Sequence, residues 1–167
     1  CSVKYQLCLF FVTAWFCFGE NKSEFFALFD GKTQMGWQAS PGGKWEVKDG
    51  VLLGTSKKAD KRHGILFSEK EYSDFILRAK FRVLQGNSGF YFRAENRNSP
   101  IRAYGFQVEI DRTQNTGGLY ETGGRAWVIR PDQEAIKERK YQPGEWSDLE
   151  IHAVGKDVSV HINGILS

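Results

Sequence analysis

From residue 24 onward, apolar and polar residues alternate with a period of two, and Gly, Asn and Asp punctuate the alternation at short intervals. The clearest unit is Trp45-Glu46-Val47-Lys48, Asp49-Gly50, Val51-Leu52-Leu53-Gly54. Asp-Gly supplies the positive φ angles of a two-residue type I′ turn, which sets Lys48 against Val51, Val47 against Leu52 and Trp45 against Gly54. A second hairpin runs from Leu149 to Ile162 about Gly155-Lys156. Its register pairs Leu149 with Ile162, Ile151 with Val160 and Ala153 with Val158 on an apolar face; Glu150 meets His161 and His152 meets Ser159 on a polar one. Between the hairpins, Phe75, Leu77, Ala79, Phe81 and Val83 share one face of a long strand whose other face carries Ile76, Arg78, Lys80 and Arg82. That strand passes through Gln85-Gly86-Asn87-Ser88-Gly89 into Phe90-Tyr91-Phe92-Arg93. A further strand, Tyr104 to Asp111, sends Phe106, Val108 and Ile110 to one side and Gln107, Glu109 and Asp111 to the other. Many short strands with half-polar faces predict an all-β antiparallel sandwich or barrel, with helix only near Gln133 to Arg139. The final Asn163-Gly164 turn signal precedes what should be a returning strand, so the pattern predicts a domain cut short at its C-terminus.

The first residues follow another pattern. From Tyr5 to Phe18 the chain is almost continuously apolar, with Lys4 before it and Gly19-Glu20-Asn21-Lys22 after it. The run is shorter than the roughly 18 to 20 residues of a spanning helix and fits the apolar region of a secretory signal. Cys17 and Gly19 fit the small positions before a cleavage site, which makes residues 1–19 a signal peptide, Glu20 the mature start and 20–167 one domain. A buried first helix or strand is the competing reading, and the run lacks the amphipathic period that would favour it. A lipid anchor on Cys17 is opposed by the bulky Trp15 and Phe16 before it. The chain begins with Cys1 rather than Met, so the true beginning is expected upstream. Cys1, Cys8 and Cys17 all fall in this segment, so the mature domain would have no disulfide, cysteine nucleophile or thiolate metal site. An exported domain held by its core alone suits the periplasm or the extracellular space of a bacterial-type envelope.

Length and composition then narrow the class. The chain has 167 residues, 41% hydrophobic and 26% charged, a balance that fits a single globular domain and excludes disorder, collagen-like repeats and multi-pass membrane insertion. The net charge of +3, from 23 basic and 20 acidic residues, is spread along the chain. Lys137-Glu138-Arg139-Lys140, the longest charged cluster, mixes signs and reads as solvated surface, so nucleic acid is not an expected partner. No transmembrane span is expected in the mature chain.

Candidate chemistry centres on Gln107, Glu109 and Asp111, which alternation places on one side with consecutive members about 7 Å apart. Two carboxylates in a groove can divide the acid and base roles of glycosidic bond cleavage, one neutralised by its neighbour's charge. The bland alternative is a solvated strand face. Tyr91 shares a face with Arg93, Tyr104 precedes the acidic strand, and Tyr120 and Trp127 flank the loops Thr116-Gly117-Gly118 and Thr122-Gly123-Gly124. Tyr and Trp beside Arg, Asn, Gln and carboxylates suit the apolar faces and hydroxyl rims of sugars. Trp37, Trp45 and Trp146 read instead as core. His152 and His161 share the polar face of their hairpin, which sets a metal or acid–base role against simple exposure. The glycine-rich loops match no phosphate-binding motif, Ser88 has no histidine at recognisable spacing, and no organic cofactor motif is present; a divalent metal is the cofactor class left open.

Two resemblances bear on function. Glu109-Ile110-Asp111 is similar to the E-I-D-x-x-E signature of laminarinase-type glycosidases, but Thr113 and Gln114 follow without a third acid. Leu28 to Trp37, Trp45 to Gly54, Ser68 to Arg93, Tyr104 to Arg112, Thr116 to Glu121 and Pro143 to Leu166, taken in order, resemble the 3-keto-disaccharide hydrolase domain family. The resemblance implies a concanavalin A-like lectin/glucanase jelly roll. It also implies an exported enzyme, hydrolase or lyase, that cleaves 3-keto-disaccharides or 3-keto-glycosides downstream of a sugar 3-dehydrogenase. A ketone at C3 acidifies the C2 proton and permits elimination across C1–C2, which calls for a base and an electrophile for the enolate. The family elements fall on Asn87, Arg93, Gln107, Glu109, Asp111 and Tyr120, with Glu109 or Asp111 as base or acid and with Arg93 and Asn87 holding sugar oxygens. The same fold serves non-catalytic carbohydrate-binding modules and structural β-domains, which remain the alternative classes.

Overall fold

The computed structural model describes residues 25–167 together with the backbone of the strand Val3–Trp15. The fold is all-β and every strand pairing is antiparallel. One sheet runs in the order β14 (Ile165–Leu166), β13 (Asp157–Ile162), β12 (Ser147–Val154), β7 (Phe75–Gln85), β1 (Val3–Trp15), β5 (Val51–Lys57) and β4 (Lys44–Lys48), with β2 (Phe25–Ala27) also pairing β1. A second sheet runs β11 (Ala126–Ile129), β10 (Leu119–Thr122), β9 (Ala103–Ile110) and β8 (Ser88–Asn96). The short pair β3 (Trp37–Ala39) and β6 (Leu66–Ser68) stands apart.

Both predicted hairpins form in the predicted register. Lys48 faces Val51, Val47 faces Leu52 and Trp45 faces Gly54, with Asp49 and Gly50 at φ 52° and 77° as a type I′ turn requires. Leu149, Ile151 and Ala153 face Ile162, Val160 and Val158, while Glu150 and His152 face His161 and Ser159. Asn163 and Gly164 make the expected turn, at φ 52° and 81°, and β14 is the returning strand. The apolar face of β12 joins Leu77, Ala79, Phe81 and Val83 of β7 in the core, and Phe92, Val108 and Ile110 close that core from the second sheet. Phe75 meets Phe92 edge-on across the two layers at 5.9 Å, an arrangement the ring quadrupoles favour.

One helix occurs among the described residues, α1 (Gln133–Glu138), where sequence predicted it. Asp132 caps it by accepting hydrogen bonds from the Glu134 and Ala135 amides. The charged cluster at its end divides, correcting the expectation of a uniformly solvated stretch. Lys137, Glu138 and Lys140 are exposed, but Arg139 is buried and donates to the carbonyls of Thr116 and Gln114 in the turn after β9. Trp146, expected in the core, is instead 39% exposed with the Arg82 guanidinium 4.9 Å over its ring. It precedes β12, where the strand's alternation has not begun to direct side chains inward.

Strand β1 lies between β5 and β7, so the apolar run read as an export signal is a sheet strand in this structure, and its removal would open the edges of both neighbours. The expected cleavage positions Cys17, Gly19 and Glu20 lie outside the described residues. No described helix is long and apolar enough to cross a membrane.

The two faces of β12 differ in what they bury, which gives a stability test. Ile151, fully buried, should cost about 2–5 kcal/mol when replaced by alanine. Val154→Ala, at a half-exposed outward position, should cost less than about 1 kcal/mol. Urea unfolding midpoints at unchanged m-value check the contrast.

Candidate functional site

The outer face of β9 carries the site. Because Val108 and Ile110 point into the core, Gln107 and Glu109 must point to the opposite side of the second sheet. Both are buried there as well, so this strand is enclosed on both faces. Glycines flank Glu109 on the neighbouring chain segments. Gly89 pairs with it in β8, and on the other side the Glu109 amide donates to the Gly118 carbonyl at 2.9 Å. A Cβ at Gly89 would collide with the Gln107 side chain, its Cγ being only 2.5 Å away. The missing side chain therefore lets Gln107 lean across the strand. From there its Nε2 donates to Glu109 Oε2 at 3.0 Å and to the Ser88 carbonyl at 3.3 Å.

Asn87 reaches the other carboxylate oxygen. The turn between β7 and β8 places Gly86 at φ 78°, and the Asn87 Nδ2 that follows donates to Glu109 Oε1. Burial is the largest influence on this carboxyl and pushes its pKa up to about 7, against the Asn87 hydrogen bond and with help from the charge of Asp111. At neutral pH the group is thus divided between acid and carboxylate. Two amide donors fix its orientation in either state.

Aromatic rings continue the face. Tyr91, Gln107 and Tyr120 are directly opposed across β8, β9 and β10, and Trp127 opposes Tyr120 from β11. The Tyr120 and Trp127 rings meet edge to face at 5.4 Å, and Arg130 lies 4.0 Å over Trp127. The Tyr91 hydroxyl shares a 3.0 Å hydrogen bond with Thr122. Desolvation first, then the charges of Glu109 and Tyr120, hold the Tyr91 phenol above its ordinary pKa, so it keeps its proton at neutral pH. A cavity of about 870 Å³ opens along β8, with Asn87, Tyr91 and Gln107 on one wall and Trp37, Trp45 and Tyr72 on another. That size suits a small ligand. Glu109 sits just behind the wall that Asn87 and Gln107 form.

Five of the nine residues singled out from sequence therefore converge: Glu109, Gln107, Asn87, Tyr91 and Tyr120, with Trp127 extending the row. The remaining three lie elsewhere. β9 ends at Ile110, so Asp111 falls in the turn, where its carboxylate accepts from the Thr113 amide and hydroxyl and from the Thr116 hydroxyl. Arg93 stands at a bulge with φ 48°, which turns its guanidinium onto the Ser73 and Gly155 carbonyls and Asp74. Tyr104 lies at the far end of β9 beneath Arg97, 4.6 Å away. Sequence reasoning missed Gly89 and Thr122; Gly89 in a strand interior was the available signal of close approach. It also placed Trp37 and Trp45 in the core. Trp45 does pack against the core, yet both line the cavity, their indole N–H groups held by the Leu28 and Gly64 carbonyls at 2.8 Å.

Residues 24–167 match the model of the 3-keto-alpha-glucoside-1,2-lyase-like domain, and the chain belongs to that family. No curated protein matches the chain.

The carboxyl's environment predicts its titration. A folded-state pKa near 7 against an ordinary 4.5 means that the native state holds a proton the unfolded chain has released. Stability should therefore fall as pH rises between those two values, and Glu109→Gln should remove that slope. Asn87→Ala, which deletes a donor favouring the ionised form, should move the Glu109 titration above about 7 in a carboxyl-carbon NMR titration.

Proposed function

We propose that this member of the 3-keto-alpha-glucoside-1,2-lyase-like domain family cleaves 3-keto-glucosides by elimination, with Glu109 as the base. The observation that carries the reading is one carboxyl, poised near neutral pH, gripped by Asn87 and Gln107 beside a sugar-sized cavity with aromatic walls. A general base works best when its pKa lies near the working pH. Of the two candidate carboxylates, Glu109 has this property, while Asp111 is occupied in organising the turn.

The chemistry follows from the ketone. Ionised Glu109 takes the proton from C2, which the C3 carbonyl acidifies, and the C–H electrons enter a C2–C3 enolate. Collapse of the enolate forms the C1=C2 double bond and breaks the bond from C1 to the glycosidic oxygen, which leaves with the proton that Glu109 has taken up. Developing negative charge on the C3 oxygen calls for a nearby neutral donor. The Tyr91 phenol, protonated and beside Gln107, fills that role. Trp37, Trp45 and Tyr72, which line the cavity, offer the apolar surface against which a sugar face stacks.

A C3 ketone arises by oxidation of the C3 hydroxyl, so a reaction of the sugar 3-dehydrogenase class supplies the substrate. Export belongs to the same reading: the basic–apolar–small pattern of residues 1–19 supports a cleaved signal, whose removal takes β1 from between β5 and β7, and a jelly-roll arrangement fits the antiparallel sheets. N-terminal sequencing of the protein recovered from the cell envelope should give Glu20; recovery of the intact leader on all of it would refute cleavage.

The elimination product is a conjugated enone and absorbs in the near ultraviolet. The folded chain should generate that absorbance from a 3-keto-disaccharide but not from its unoxidised parent, along a pH limb rising near 7. Glu109→Gln should lower turnover by about 10²–10⁴-fold. Binding of the keto sugar without turnover would favour a carbohydrate-binding module instead.

A further inference from the structure

On the outer face of the larger sheet, away from the sugar cavity, the β12–β13 hairpin brings together a second group of side chains. The apolar residues of both strands face the core, so Glu150, His152 and His161 face outward together. Glu150 pairs directly with His161, and His152 lies diagonally across from it. One donor atom from each of the three lies within 4.8 Å of the others. His152 Nε2 is 2.5 Å from Glu150 Oε1, and the two imidazole rings are 5.6 Å apart. All three side chains are half-buried. His161 Nδ1 is buried without a hydrogen-bond partner, a position that a metal bond would satisfy.

Two imidazoles and a carboxylate form the donor set of borderline divalent ions, Zn²⁺ above all, and not of Ca²⁺ or Mg²⁺, which take oxygen ligands. Tetrahedral zinc with bonds of about 2.0–2.2 Å needs its ligand atoms some 3.4 Å apart, an adjustment that opens the 2.5 Å contact between His152 and Glu150 and that side-chain rotation can supply. The surroundings fit a cation. Arg78 holds only Glu150 Oε2, at 2.5 Å, and leaves Oε1 to the cluster; the Phe25 ring under the guanidinium keeps it in place. This is how an outer partner orients a ligating carboxylate. The next cation, Lys80, is paired with Asp148 at 2.7 Å. A cavity of about 550 Å³ lined by Arg78, Asp148, Glu150, His161 and Asn163 opens beside the cluster and gives a fourth coordination position access to solvent.

We propose that Glu150, His152 and His161 bind one borderline divalent transition-metal ion, with water completing its coordination. The site is independent of the proposed sugar chemistry, since it lies on the other sheet. By tying β12 to β13 across their turn, the ion stabilises the folded chain through its binding free energy.

Zinc itself is the probe. The folded chain, stripped of metal, is titrated with Zn²⁺ by calorimetry and by NMR of the histidine rings. One equivalent should bind, the His152 and His161 ring signals should move while those of His63 stay, and the thermal midpoint should rise with Zn²⁺ concentration. His161→Gln and Glu150→Gln should each weaken binding by about tenfold or more while circular dichroism remains that of the folded chain. Absence of stoichiometric binding by the folded chain overturns the proposal. So does binding that moves His63, or binding that either substitution leaves intact.

Discussion

Glu109 is a buried carboxyl held by two side-chain amides, and the candidate site is organised around that fact. An isolated buried carboxylate would be costly, and the chain meets the cost partly by protonation and partly by the Asn87 and Gln107 donors. Neither device is complete. The group rests between acid and base near pH 7, the condition for taking a proton from carbon and returning it without a large penalty in either direction.

The sandwich makes that placement rigid. Val108 and Ile110 anchor β9 in the core, so the side chains between them have no freedom to rotate away from the outer face. Gly86 at positive φ delivers Asn87 from the β7–β8 turn, and Gly89 clears the space that Gln107 occupies. The C-terminal end of β9 is fixed by different means. Asp111, Thr116, Arg139 and Tyr141 lock the following turn, the Tyr141 hydroxyl donating to the Asp111 carbonyl. Rigid positioning of this kind holds a reacting group in register without reorganisation at the moment of reaction.

Local chemistry explains what could be read from the sequence. Asp49-Gly50 permits one tight turn, and a single register follows; the alternation of Leu149–Ala153 against Val158–Ile162 tolerates no one-residue slip. The same alternation put Gln107 and Glu109 on one face, and register alone aligns them with Tyr91 and Tyr120. Strand ends and bulges escaped that logic. Asp111 has the right parity but lies past the last residue of β9, and the bulge after Phe92 re-aims Arg93. Arg139 is buried because a turn distant in sequence offers it carbonyls, which no local pattern records.

The account stands on proton removal from C2, and hydrogen exchange at that carbon tests it most directly. A 3-keto-glucoside incubated with the protein in deuterated water is followed by NMR at C2, alongside Glu109→Gln. The account predicts that the wild-type chain labels C2 of recovered substrate, or cleaves it with a primary isotope effect when C2 carries deuterium, and that Glu109→Gln does neither. Cleavage with no isotope effect and no exchange, or equal labelling by both proteins, would contradict it.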